Sequence, residues 1–214
     1  MKVKKGLILL GAVFFVLFGF IGTSAAIPVT FDFTSANVTQ RFVDIATFTG
    51  SDNATTVTAD AYPWDRDLFL GVRGLGVLGD PDSASDGSGR QVDGYGTNEA
   101  IIFCFSTEVY LTSVIFDAVG RNDDFAFFVG DSNGDLRRIN TDIDIPNSDT
   151  YTFRGTYLSD LFAIGAWGCN DDFLVAGMTT SITSAPVPEP ATLLLFGTGL
   201  IGLAGLGRRK LFKK

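Results

Sequence analysis

The chain of 214 residues contains no histidine. That absence removes Ser-His-Asp and Cys-His nucleophile arrangements and every histidine-ligated zinc site. Lysine is missing from the whole stretch 27–186, which holds 8 arginines against 23 acids, a net charge of −15. So acidic a body repels phosphate backbones, and no nucleic-acid partner is expected. Charged residues make up only 19% of the chain and hydrophobic ones 46%, with 20 phenylalanines, a composition that sets it apart from disordered chains. With histidine chemistry gone, the expectation is a protein that is not an enzyme. The competing reading is a secreted glycoside hydrolase working through two carboxylates, which needs no histidine. No acid pair is marked by an apolar pocket of the kind that raises one carboxyl pKa.

The basic residues are concentrated at the ends. Lys2, Lys4 and Lys5 precede an uncharged run from Gly6 to Gly22, followed by Thr23-Ser24-Ala25-Ala26. A basic start, an apolar stretch and small residues before a cut describe a secretory signal peptide over 1–26, cleaved after Ala26. At the other end, over 187–214, Pro188-Glu189-Pro190 leads into an uncharged segment, 191–207, and then Arg208-Arg209-Lys210. As a helix, 17 residues span about 25 Å, enough to cross a hydrocarbon core. The basic tail is expected to stay cytoplasmic under the positive-inside rule. The precursor is thus expected to pass the export translocon and to face the periplasm, tethered to the inner membrane.

Pro188-Glu189-Pro190, the Gly-rich apolar segment and Arg208-Arg209-Lys210, in that order, resemble the PEP-CTERM sorting signal of Gram-negative bacteria. The resemblance covers about residues 186–210 and implies an exported protein handed to an exosortase, with the cell surface or extracellular matrix as destination. A looser resemblance to other PEP-CTERM proteins runs through Gly74-Leu75-Gly76-Val77, Val92-Asp93 and Asn98-Glu99. It implies a shared exported β-domain of undefined biochemistry.

Between the ends, residues 27–186 read as one acidic domain. Apolar runs are short and alternate, as in Val29-Thr-Phe-Asp-Phe33 and Ile101-Ile-Phe-Cys-Phe105, and breakers such as Gly120, Asn133-Gly134 and Pro146-Asn147 fall between them. Nine to eleven strands are expected, with Leu111–Val119 separate from 101–105. The fold class is all-β, an antiparallel β-sandwich or jelly roll. Gly71 to Gly96 is expected to be a long loop, its length marking it as functional or mobile.

Several residues are candidates for chemistry. Asn122-Asp123-Asp124-Phe125 recurs 48 residues later as Asn170-Asp171-Asp172-Phe173. Two such loops could offer oxygen ligands to calcium, or they could simply be turns, which Asn and Asp favour. Asp93 and Glu99 form a third acidic cluster, at a place where jelly-roll sugar-binding modules carry a structural calcium. Asp131-Ser-Asn133-Gly-Asp135 places its glycine wrongly for an EF-hand and reads as a hairpin turn. Cys104 and Cys169 are the only cysteines; in an oxidising compartment they are expected to pair, against the alternative of two separate buried thiols. Trp64, in the polar turn Tyr62-Pro63-Trp64-Asp65-Arg66, is a candidate platform for a sugar ring, so that exopolysaccharide or another carbohydrate is the expected ligand. Trp167 is expected in the core.

Overall fold

The computed structural model describes residues 26–34, 40–79, 89–168 and 170–183. The expected signal segment up to residue 25, the helix 191–207, Pro188-Glu189-Pro190, the basic tail and Cys169 lie outside them. No helix among the described residues is long and apolar enough to cross a membrane. Residues 27–182 form one compact unit.

Alternation of apolar and polar residues produces strands wherever no Gly, Pro or Asn-Asp pair interrupts it. Among the described residues thirteen strands result: β1 (Ala26–Asp32), β2 (Arg41–Val43), β3 (Ile45–Thr49), β4 (Thr56–Tyr62), β5 (Leu68–Gly71), β6 (Gly74–Val77), β7 (Val92–Asp93), β8 (Ala100–Asp117), β9 (Asp124–Gly130), β10 (Leu136–Asp144), β11 (Thr150–Thr152), β12 (Leu158–Gly165) and β13 (Asp172–Thr183). The described fold is all-β and its registered strand pairs are antiparallel. The main path of neighbours is β10-β9-β12-β8-β13-β6-β5-β2, with β3-β4 joined through β8 and with β1 and β7 on β13.

Three expectations need correction, the first being the number of strands, thirteen among the described residues rather than nine to eleven. The runs 101–105 and 111–119 are parts of one strand, β8, which ends at Asp117. Ser106-Thr107-Glu108 are exposed and contain no breaker, so the backbone stays extended through them. Between Cys104 and Val109, β8 carries more residues than β12 does between Leu161 and Ser159, and this irregularity in β8 absorbs the change of register. The expected loop 71–96 also contains β6 and β7, which lie against β13. Glycine allows that approach: at Gly74, with φ of 145°, a Cβ would stand 2.6 Å from the Val175 carbonyl oxygen. The Asn133-Gly134 hairpin is as expected, closed by Asp131 N–H donating to the Asp135 carbonyl at 2.9 Å.

β8 organises the rest. Its first half lies between β4 and β12, and its second half between β11 and β13. The core is phenylalanine-rich: Phe31, Phe103, Phe116, Phe125, Phe127, Phe162 and Phe173 are all essentially inaccessible. Phe125 and Phe127 on β9 meet Tyr151 and Phe153, whose segment runs beside the second half of β8.

The four-residue echo marks an interlaced pair of units. β8 and β9 are joined by residues 118–123, and β12 and β13 by residues 166–171, two loops of equal length. Each following strand pairs with the strand that precedes the other loop. Gly165 faces Ala126 and Ile164 faces Phe127; displaced by 48 residues, Asp117 faces Leu174 and Phe116 faces Val175. The echoed phenylalanines, Phe125 and Phe173, both pack on Phe116, at 5.0 and 5.2 Å between centroids.

Candidate functional site

The interlacing brings the two Asn-Asp-Asp loops face to face, and they clasp each other reciprocally. Asp124 N–H donates to Asp171 Oδ1 at 3.2 Å, and Asp172 N–H donates to the Asp123 carboxylate. Each buried acid also ties its own loop: Asp123 accepts from Gly120 N–H and Asp171 from Trp167 N–H. Asn170 Nδ2 reaches the Asn122 carbonyl at 3.5 Å. These are the turn-forming and capping uses of Asn and Asp, shared between two loops rather than kept within one.

Asp93 and Glu99 join the same end of the molecule. Asp93 sits cross-strand from Asp172, its N–H donates to Glu99 Oε2 at 3.1 Å, and its Oδ1 accepts from Tyr95 N–H at 2.6 Å. Gln91 Nε2 donates to Asp172 Oδ1 at 2.8 Å. All six acids singled out from the sequence are therefore brought to one pole.

Crowding shows in their protonation. Burial pushes the Asp123 carboxyl up, and the Asp171 charge adds to it against the lowering effect of backbone N–H donors. Burial likewise raises Asp171, helped by the charges of Asp142 and Asp93. Asp124 is pushed up to about 6, first by burial, then by hydrogen bonding to Asp142 and Asp144 and by the charges of Asp144 and Asp171. Among the described residues no group of three or more acids or cysteines is arranged to hold a metal ion, and no buried side-chain N or O lacks a hydrogen-bond partner.

A second feature differs in kind. On the face of β4, β8, β12, β9 and β10 that points away from the core lies an open groove of about 230 Å³. Its floor is made of Ala100, Ile102 and Ala163; Tyr62 and Trp64 line it from the β4 side, and Phe128, Leu136 and Trp167 from elsewhere. Small side chains on the central strands make the depression, and aromatic rings wall it. Trp64 is 68% exposed and meets Tyr62 edge-on at 6.1 Å. The turn that carries it is closed by Arg66 N–H donating to the Pro63 carbonyl at 3.0 Å. Trp167 is not a core residue: it is 39% exposed and lies against Phe128 at 5.7 Å. The core-facing position beside it belongs to the small Ala166, whose N–H is fixed on the Glu99 carbonyl at 2.9 Å. That leaves the indole on the rim. Because Trp167 N–H is held by Asp171, the acidic clasp also positions one wall of the groove.

Trp64 was legible from sequence as an aromatic in a polar turn. The other wall residues were not, because only the pairing of β4, β8, β12 and β9 places them together. Cys104 lies on the same outer face as a free, exposed thiol, and its expected partner Cys169 falls outside the described residues. Burial pushes the Cys104 thiol up, and the charges of Asp160 and Asp60 push it further.

No curated protein and no solved structure matches the chain, so the two features stand on their own geometry. Residues 186–210 match the family model of the PEP-CTERM protein-sorting motif. The chain is therefore an exported protein that carries a PEP-CTERM sorting motif and is a substrate of exosortase.

Proposed function

We propose that this protein is a non-enzymatic component of the cell surface or extracellular matrix, and that it binds exopolysaccharide or another carbohydrate through the groove bounded by Trp64 and Trp167. The observation that carries the reading is the joint lining of one apolar depression by Tyr62, Trp64 and Trp167. Flat aromatic faces next to polar groups suit the apolar face and hydroxyl rim of a sugar ring. The volume lies below the roughly 300–1,000 Å³ of pockets for drug-sized ligands, a scale that fits a single ring of a chain running on along the open groove.

In this reading the body is a two-layer antiparallel sandwich of jelly-roll type. The division of β8 between two sets of partners supports it, as does the packing of β9 phenylalanines onto Tyr151 and Phe153. The precursor passes the translocon on its signal peptide and is held in the inner membrane by residues 191–207 until exosortase acts; the sorting motif supports this route. The absence of histidine, and the engagement of Asp123 and Asp171 with backbone N–H groups, favour binding over turnover.

The test is retention of the exported protein on polysaccharide from its own matrix. Trp64→Ala should lower retention on the order of tenfold without changing the melting temperature. Full retention of the Trp64→Ala variant would remove the groove from the binding site.

A further inference from the structure

The carbohydrate reading leaves open which sugars the groove accepts, and the charges beside it discriminate among them. Cross-strand pairing extends the outer face beyond the aromatic walls. Asp60 on β4 is the register partner of Ile102, and Ala163 on β12 is the partner of the same residue from the other side. Two residues further along β8, Cys104 lies between Thr58 and Leu161. Asp60, two residues before Tyr62 and opposite Ile102, therefore stands beside the groove floor on its outer face; its charge and that of Asp160 on β12 also act on the Cys104 thiol. Asp60 is half-buried, and Asp44 adds a further negative charge to its surroundings.

The turn that presents Trp64 carries Asp65 and Asp67 around Arg66. A cation at the other side, Arg138, is the register partner of Phe128 on β10, four strands from β4 along the path β10-β9-β12-β8-β4. The whole body adds a net −15. An anionic polysaccharide would meet like charge at the Asp60 end of the groove and over the body as a whole, with Arg138 beside the opposite wall. A sugar bearing an ammonium group would set its ring on the indole faces and its charge toward Asp60, and the same aromatic faces attract cations.

Resting on the carbohydrate reading above, we infer that the groove takes an amino-sugar polysaccharide, with the ring against Trp64 and Trp167 and the ammonium toward the carboxylate of Asp60. The ligand is thus a polymer with free amino groups rather than one that is fully acetylated or carries uronic acids.

Titrating the intact exported protein by tryptophan fluorescence with short oligomers of glucosamine, of N-acetylglucosamine and of galacturonate tests this. The glucosamine oligomer should bind on the order of tenfold more tightly than the acetylated one, and the galacturonate oligomer most weakly. High salt should shrink the advantage. The variant Asp60→Asn should lose it while keeping its affinity for the acetylated oligomer; a melt of that variant confirms that it folds. Equal affinity for the glucosamine and acetylated oligomers, or an advantage that survives both the substitution and high salt, would overturn the inference and leave the carbohydrate reading in place. If none of the three oligomers binds, the carbohydrate reading fails with it.

Discussion

The acidic clasp and the aromatic groove both concentrate one residue type, yet they stand in opposite physical situations. At the clasp, Asp123 and Asp171 are almost inaccessible and their oxygens are taken up by N–H groups of the chain itself. At the groove, Trp64 holds a large apolar surface in water that no part of the described fold covers. A buried polar group with its partners supplied by the fold is part of the structure; a cluster of large aromatics left exposed around a depression is the more informative surface signal. Sequence alone favours the reverse emphasis, since the echoed acids are conspicuous in the chain and the groove is not. The two are also linked, because Asp171 holds the backbone of Trp167.

The comparison breaks most visibly at Asp171. Asp171→Ala leaves the N–H groups of Asp124 and Trp167 without an acceptor, and unpaired buried donors cost about 1–3 kcal/mol each. The expected loss, part of it offset by relief of like-charge repulsion, is about 2–4 kcal/mol in denaturant unfolding, with weaker sugar binding as Trp167 shifts. Asp171→Asn keeps an acceptor oxygen and removes a charge, so its stability should stay within about 1 kcal/mol of the parent. If the Ala variant is as stable as the parent, the clasp does not hold the loops.

A smaller effect separates charge from hydrogen bonding. Asp123, Asp124 and Asp171 all have carboxyls raised above their ordinary value. The folded state therefore takes up protons more readily than the unfolded one. Its stability should increase as the pH falls through about 6, the value for Asp124, and should flatten near the unfolded carboxyl range of about 4. Melting curves across that window should show the rise, and Asp124→Asn should reduce its slope. A melting temperature that falls from pH 7 to pH 5 would contradict the raised carboxyls.

The smallest expected difference concerns calcium. Since the clasp oxygens already accept backbone N–H groups, calcium should raise the melting temperature no more than sodium chloride does at matched ionic strength, both acting by screening. A calcium-specific shift abolished by Asp171→Asn would show instead that the pole binds the ion.

Alternation within segments such as 29–33 and 101–105 was enough to identify an all-β body, because a period of two is a property of the local chain. The C-terminal motif was legible for a similar reason: a sorting motif is read along the chain, residue by residue. The Asn-Asp-Asp-Phe echo was visible too, but not its meaning. Only strand pairing between residues as distant in sequence as Ala126 and Gly165, or Asp117 and Leu174, turns two similar loops into one clasp. The continuity of β8 depended on neighbours as well, since its exposed middle holds the extra residues of the register change while β12 pairs with it on either side. Trp167 shows the limit most clearly. Its apolar character suggests the core, but the hydrogen bonds of Ala166 to Glu99 and of Trp167 to Asp171 turn its ring outward. Local pattern determined which segments become strands and where the chain is sent. Tertiary pairing decided which side chains meet, because the groove walls come from four different segments and no local rule brings them together.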